Sequence, residues 1–391
     1  MVSFFGAMRK TARHLLLAAA TVFVAACDPA MLGFSGQNVN PNAPVPVALI
    51  VPGNTGQAGD DILSRSLENA ARLAISDLQG PQIDLRVYSA GATPNQAAAA
   101  AIQAVNDGAK IILGPVYADA ANAAGLAVAA RNVNVLSFSN NAEIAGGNVF
   151  ILGNTFQNTA IRLVDFAARQ GRARIFIVHE QTPAGEVGKT AIQTAIARSS
   201  ASLAGIQSFP YSQDGIIAAI PPIARMVQSA GADAIFLTAT ADGALPYLGQ
   251  LLPEAGLTPD TIKYLGLTRW DVQPATLSLP GVQGGWFAMP DPTLDQRFQA
   301  RYQAAYGSPP HPIAGLAYDA IAAIGALLGE GRRDALTTAA LTQPSGFVGV
   351  GGIFRLRADG TNERGLAIAE VRDSQVVVID PAPRSFAGAG L

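Results

Sequence analysis

The chain has 391 residues, 49% of them hydrophobic and 14% charged, with a formal net charge of −2. This composition excludes a disordered protein and permits large buried cores. The near-neutral balance shows none of the basic clustering of a nucleic-acid binder.

The first segment reads as an export signal. Arg9, Lys10 and Arg13 precede an apolar run that ends in Val24-Ala25-Ala26-Cys27, with small residues directly before the only cysteine. This junction resembles a bacterial lipoprotein signal. The resemblance implies that residues 1–26 are removed and that Cys27 becomes the lipidated first residue, with palmitate among its acyl chains. It further implies a periplasmic protein held to a membrane, inner or outer, by that lipid alone. No later apolar run approaches the roughly 20 residues of a spanning helix. Residues 27–44 are rich in Gly, Asn and Pro without periodicity, which predicts a flexible tether after the lipid.

From residue 45 strands and helices alternate. Apolar runs predict strands at 45–51, 83–88, 110–113 and 133–137, and helical spacing predicts helices at 61–78, 94–106 and 118–131. A second series follows residue 153. It has helices at 159–170, 186–198, 216–229 and 241–254, and strands at 175–178, 205–210, 234–237 and 264–265. The tail adds helices at 293–306 and 313–328, then strands at 352–356, 366–370 and 376–379. Continuous apolar strands alternating with helices imply α/β architecture, with parallel sheets covered on both faces. Two series imply two doubly wound lobes. The expected boundaries are 45–153 plus 288–330 for lobe 1, 154–287 plus 331–380 for lobe 2, and 381–391 for a tail. A cleft between the lobes, at the carboxyl ends of the strands, is the expected ligand site.

Catalytic signals are sparse. Two histidines remain after the signal, His179 and His311, and neither has a Cys or Asp at metal-ligand spacing. The expectation is a non-catalytic protein with no metal and no cofactor. Gly185-Glu-Val-Gly188-Lys189-Thr190 ends like a phosphate loop, but Pro183 stands where the first glycine is needed, so it reads as a helix start. The strand-end loops say more. They supply the cleft candidates Asn54, Thr55, Tyr117, Ser139, Asn140, Glu180, Thr182, Thr240, Asp242, Arg269 and Trp270. Helix capping explains Ser139, Asn140 or Asp242 singly; their recurrence after nearly every strand points to a shared cleft. The pair Arg269-Trp270 is the sharpest, with a structural bridge between lobes as its alternative.

The span 45–380 resembles a type I periplasmic binding protein of the branched-chain amino-acid group, through 47–52, 106–114, 175–180 and 316–320. The resemblance implies two lobes joined by three crossovers around a clamshell cleft. That group binds the ligand zwitterion with a serine/threonine cluster and a tyrosine. Here Val116-Tyr117-Ala118-Asp119-Ala120 replaces the cluster, and Ala184 stands where the tyrosine is expected. Segments 135–141, 269–271, 284–287, 304–307 and 380–386 are more closely similar to the penicillin-binding protein activators of alphaproteobacteria. That resemblance implies a regulator of peptidoglycan synthesis whose partner is a class A penicillin-binding protein, with a small molecule or cell-wall fragment as cleft ligand. The alternative is the substrate-binding receptor of an ABC importer for amino acids or related small solutes.

Overall fold

Strand β1 (Val45–Val51) divides its side chains by the strand period of two. Val47, Leu49 and Val51 pack into one apolar cluster, while Ala48 and Ile50 enter another on the opposite face. The structure, a computed structural model, describes residues 35–53 and 55–386. The expected signal, Cys27, Asn54 and the last part of the expected tail lie outside the described residues. Around β1 stand β2 (Ile83–Ser89), β3 (Ile111–Leu113), β4 (Asn134–Ser137) and β5 (Val149–Ile151), a parallel sheet in the order β2-β1-β3-β4-β5. Helix α1 (Ala58–Asp77) covers one face with Leu63, Leu67 and Ala70. Helices α2 (Pro94–Asn106) and α3 (Ala118–Val128) cover the other with alanines, which let them lie close. Thr93 and Gln96 form a capping box that sets the start of α2.

The second lobe repeats the scheme. Helices α4 (Phe156–Arg169), α5 (Pro183–Ala197), α6 (Gln213–Ser229) and α7 (Leu245–Glu254) alternate with β6 (Arg174–Glu180), β7 (Ser202–Phe209), β8 (Ala234–Leu237) and β9 (Lys263–Gly266). In β6, Phe176 and Val178 face α6 and α7, and Ile175 and Ile177 face α4 and α5. Strand β10 (Trp286–Met289) continues the parallel set. Much later in the chain, β14 (Ala367–Arg372) and β15 (Gln375–Asp380) add an antiparallel hairpin, giving the order β15-β14-β10-β9-β8-β6-β7.

Between β10 and β14 the chain returns to the first lobe. It forms α8 (Pro292–Tyr306), α9 (Gly315–Gly329), the single turn α10 (Thr338–Leu341), and a small antiparallel sheet of β11 (Phe347–Gly349), β12 (Gly352–Leu356) and β13 (Asn362–Arg364). This corrects the expected boundaries. Leu336, Leu341, Phe347, Phe354 and Leu356 are buried in the first-lobe core, so residues up to β13 pack there rather than in lobe 2. Conversely Ala288 and Met289 pack in the second lobe. The lobes are joined by three crossovers, from β5 to α4, β10 to α8 and β13 to β14.

The expected tether also needs correction from Ser35 onward. The Val39 amide donates to Arg333 O (2.8 Å), the Thr338 amide to Ser35 O (3.1 Å), and Val39 is buried. Gly36, at φ +82°, passes so close to Leu336 that a Cβ there would lie 2.4 Å from its carbonyl oxygen. This segment is pinned to the first lobe.

Candidate functional site

The loop after each parallel strand in a doubly wound sheet emerges at the carboxyl edge. On the first lobe, Gly114 allows β1 and β3 to end in contact: its φ is +82°, and a Cβ would lie 2.2 Å from Ile50 O. Beyond it stands Tyr117, half exposed, whose hydroxyl donates to Asp60 Oδ1. The Thr55 hydroxyl donates to the other oxygen of Asp60 at 2.7 Å. The hydrogen bond to the Asp60 carboxylate, then burial, push the Tyr117 hydroxyl up to about 12. Thr55 and Tyr117 therefore meet through Asp60, a buried residue that strand-end reading passes over because it lies inside α1.

Ser139 turns inward. It is buried, its amide donates to Ser137 Oγ (3.1 Å), and its hydroxyl oxygen accepts from the Asn141 amide (3.1 Å). The side chain shapes the β4 loop instead of facing a ligand. Asn140 is exposed and lines a cavity of about 400 Å³ with Glu143 on the first lobe and Glu186, Val187 and Thr190 of α5 on the second. This cavity spans the two lobes.

On the second lobe, Glu180 closes β6 at 6% exposure. Burial chiefly raises its carboxyl, and the charge of Asp242 adds to this. Hydrogen bonds from the Thr182 hydroxyl and the Thr240 backbone oppose it. Its Oε1 has no hydrogen-bond partner among the described residues. Four sequence candidates thus gather here: Glu180, Thr182, Thr240 and Asp242. Thr182 is also the N-cap of α5, accepting from the Gly185 amide at 3.0 Å. Lys189 is engaged by Glu186 within that helix, as expected for a helix start. Tyr211 joins the group unforeseen. A Cβ at Gly243 would touch both the Tyr211 hydroxyl (3.1 Å) and Thr240 Oγ1 (2.7 Å). The signal was available, since Tyr211 follows strand β7 as the other candidates follow theirs. His179, buried beside Glu180, has Nδ1 3.5 Å from Glu186 Oε1.

Trp270 turns away from the cleft into the second-lobe core, whereas Arg269 stays partly exposed. Trp270 is 0% exposed and packs in the second-lobe core, with its ring 5.8 Å from that of Phe287. Two glycines make its slot: a Cβ at Gly266 would lie 2.4 Å from Nε1, and one at Gly285 2.7 Å from Cζ3. Nε1 has no hydrogen-bond partner among the described residues. Arg269 forks onto Asp271 in its own loop, at 2.9 and 2.7 Å, and feels the charge of Asp295 on α8. Trp270 is thus a packing wedge inside one lobe, neither a ligand platform nor the expected bridge between lobes, and Arg269 is held by its own loop while its charge reaches Asp295 on the first lobe.

Among the described residues no group of His, Cys, Asp and Glu could hold a metal ion. The second-lobe rim offers two carboxylates, which accept, beside hydroxyl groups and a phenol, which both donate and accept, and the Glu180 carboxylate is short of a donor. Such a surface suits a solute that brings N–H or O–H donors.

A profile of the periplasmic binding protein family matches residues 44–375. No curated protein matches the chain. Among solved structures, one from Rhodospirillum rubrum, provisionally assigned to branched-chain amino acid ABC transport, is 19% identical with a TM-score of 0.74, over 86% of this chain and 100% of that one. An ABC transporter substrate-binding protein from Desulfitobacterium hafniense in complex with Leu is 19% identical, with a TM-score of 0.64 over 86% and 100%. A solute binding protein from Rhodopseudomonas palustris BisB5 in complex with 3,4-dihydroxybenzoic acid is 20% identical, with a TM-score of 0.57 over 86% and 96%. At these identities the likeness is one of fold.

Proposed function

The chain belongs to the periplasmic binding protein family, and on that premise we propose that it is a non-catalytic receptor that holds a small solute between its lobes for an ABC importer. The observation that carries this reading is the Glu180 carboxylate, buried at the rim of the second lobe with one oxygen lacking a donor. A buried acceptor left unpaired costs about 1–3 kcal/mol, and a ligand N–H or O–H would remove that cost on lobe closure. Neighbours of the same fold hold leucine and a dihydroxybenzoic acid, which supports a small solute and leaves its class to the site. Thr182, Thr240, Asp242 and Tyr211 would orient it from the second lobe. Asn140, Thr55 and Tyr117 would meet it from the first. The protein acts in the periplasm, with Cys27 as its lipid anchor. A thermal-shift screen of the mature protein against amino acids, amides, aromatic acids and short peptides tests the reading. A ligand at a hundred times its dissociation constant adds about 2.7 kcal/mol, and a screen without a stabiliser counts against it.

A second reading, activation of a class A penicillin-binding protein, rests on the segments that resemble the alphaproteobacterial activators. Its support is that Trp270 of segment 269–271 packs against Gly285 and Phe287 of segment 284–287, so the resembling residues share one core contact. That support bears on ancestry more than on activity. Stimulation of a purified synthase's glycan polymerisation by the mature protein tests it, and an unchanged rate at saturation counts against it.

A further inference from the structure

The loops at the carboxyl edges of the two sheets carry charge of one sign. The segments that follow β1 to β4 and β6 to β9 hold a single basic side chain among the described residues, Arg269, and it forks onto Asp271. Acidic groups recur at the same edges. Asp61, Asp119 and Asp214 stand in first helical turns, where the helix dipole favours them. Glu180 and Asp242 have no such reason, since one ends a strand and the other precedes the first turn of α7. Asp242 is exposed and makes no hydrogen bond or ion pair among the described residues. Its charge nevertheless reaches the buried Glu180 carboxylate, and no described basic group is paired with either. A cation brought between them removes that repulsion.

The first lobe is arranged alike. The hydroxyls of Thr55 and Tyr117 both donate to Asp60, so what they leave for a solute is acceptor oxygens and the half-exposed Tyr117 ring. An anion approaching the start of α3, which has no side-chain cap, meets Asp119 in its first turn. Apolar surface accompanies these charges. Tyr211 and Val272 are exposed beyond strands of the second lobe, and Phe156 and Val187 line the cavity that spans the lobes.

We propose that the cleft solute is an organic cation, a protonated amine on an apolar or aromatic body, without a free carboxylate. Asp242 meets the ammonium directly. Glu180, held by the Thr182 hydroxyl and the Thr240 backbone, adds its charge from below the surface. Tyr117 and Tyr211 offer ring faces to the cation or to its body. The inference rests on the solute-receptor reading and narrows it. It also separates this chain from the neighbour in complex with Leu, because a zwitterion's carboxylate would meet like charges here and no unpaired base.

Calorimetric titration of the mature protein with two matched series tests this: isoamylamine, leucine and isocaproate, then tyramine, tyrosine and desaminotyrosine. Within each series the body is kept while the charged groups change. At least one amine is expected to bind about tenfold more tightly than the amino acid and the acid of its series, the factor for stranding a polar group without a partner. Asp242→Asn should weaken that amine about fivefold, the upper range for an exposed ion pair. The same substitution should leave the melting temperature of the ligand-free protein unchanged, because the wild-type side chain has no partner to lose. An amino acid or acid that binds as tightly as its amine, or an amine indifferent to Asp242→Asn, overturns the proposal and leaves the receptor reading in place. No binding by any of the six also overturns it. A stabiliser elsewhere in the wider screen then keeps the receptor reading, and none at all removes both.

Discussion

Asp319 on α9 and Arg364 on β13 form an ion pair withdrawn from solvent, with Nη1 3.1 Å from Oδ2 and side-chain exposures of 2% and 8%. Their other bonds reach further. Asp319 Oδ1 accepts from the Val350 amide (2.7 Å), and Arg364 Nε donates to Leu152 O (2.8 Å). Two residues earlier, on the same face of β13, Asn362 Nδ2 donates to Ile151 O and Gly153 O at 2.7 and 2.8 Å. The third crossover is thereby tied to the first, and both are tied to a helix of the first lobe.

Removing one partner of this pair leaves a buried charge uncompensated. Asp319→Ala should cost about 3–5 kcal/mol in urea unfolding. The double variant Asp319→Leu with Arg364→Met should recover much of that loss, because apolar residues of similar volume replace a pair whose desolvation is expensive. A double variant as unstable as the single one contradicts the assignment of the cost to a stranded charge.

Trp270→Ala should destabilise the protein by about 3–5 kcal/mol, the range for emptying a large aromatic site. Gly266→Ala should also destabilise it, since the new methyl meets the indole at 2.4 Å. Unfolding curves of both variants check this. A Trp270→Ala protein with unchanged stability and altered ligand response restores the cleft reading of that residue.

Glu180→Gln should stabilise the ligand-free protein. Burial holds the folded Glu180 carboxyl above its ordinary value. Its contribution to stability is then present below the unfolded pKa, about 4.3, and is lost as pH rises through the folded value. Glutamine does not titrate. The difference in melting temperature between variant and wild type should therefore widen from pH 4 to pH 7, and a constant difference contradicts it.

The acid limb should follow other groups. Arg301 bonded to Asp77, and Arg357 and Arg355 bonded to Glu363, hold those two carboxyls below their usual range. Depressed values confer stability above the unfolded pKa that is lost as pH falls through the folded one. Glu363→Gln should lower stability at pH 7 and matter little near pH 2. Equal destabilisation at both pH values assigns the effect to lost hydrogen bonds instead.

What the sequence reveals depends on how local the cause is. β1 and β8 are legible to the residue because burial on two faces demands an unbroken apolar run. β5 and β10 escape, being three or four residues long and set among glycines, with pairing supplied by neighbours far along the chain. Residues 335–356 look like an extension of the second series because nothing local says which lobe will bury Phe347 and Phe354. At the site, Glu180, Thr182, Thr240 and Asp242 are legible because a strand end fixes their place. Trp270 misleads, since its slot is made by Gly266 and Gly285, and only the packed lobe shows that an indole following a strand turns inward.

The central claim is that the inter-lobe cleft binds a solute through the acceptor face around Glu180. The measurement that tests it most directly is calorimetric titration of the best thermal-shift ligand into wild-type protein and the Glu180→Gln variant. Saturable one-to-one binding is expected, weakened about tenfold or more by the substitution. Equal affinity for the two proteins contradicts the claim.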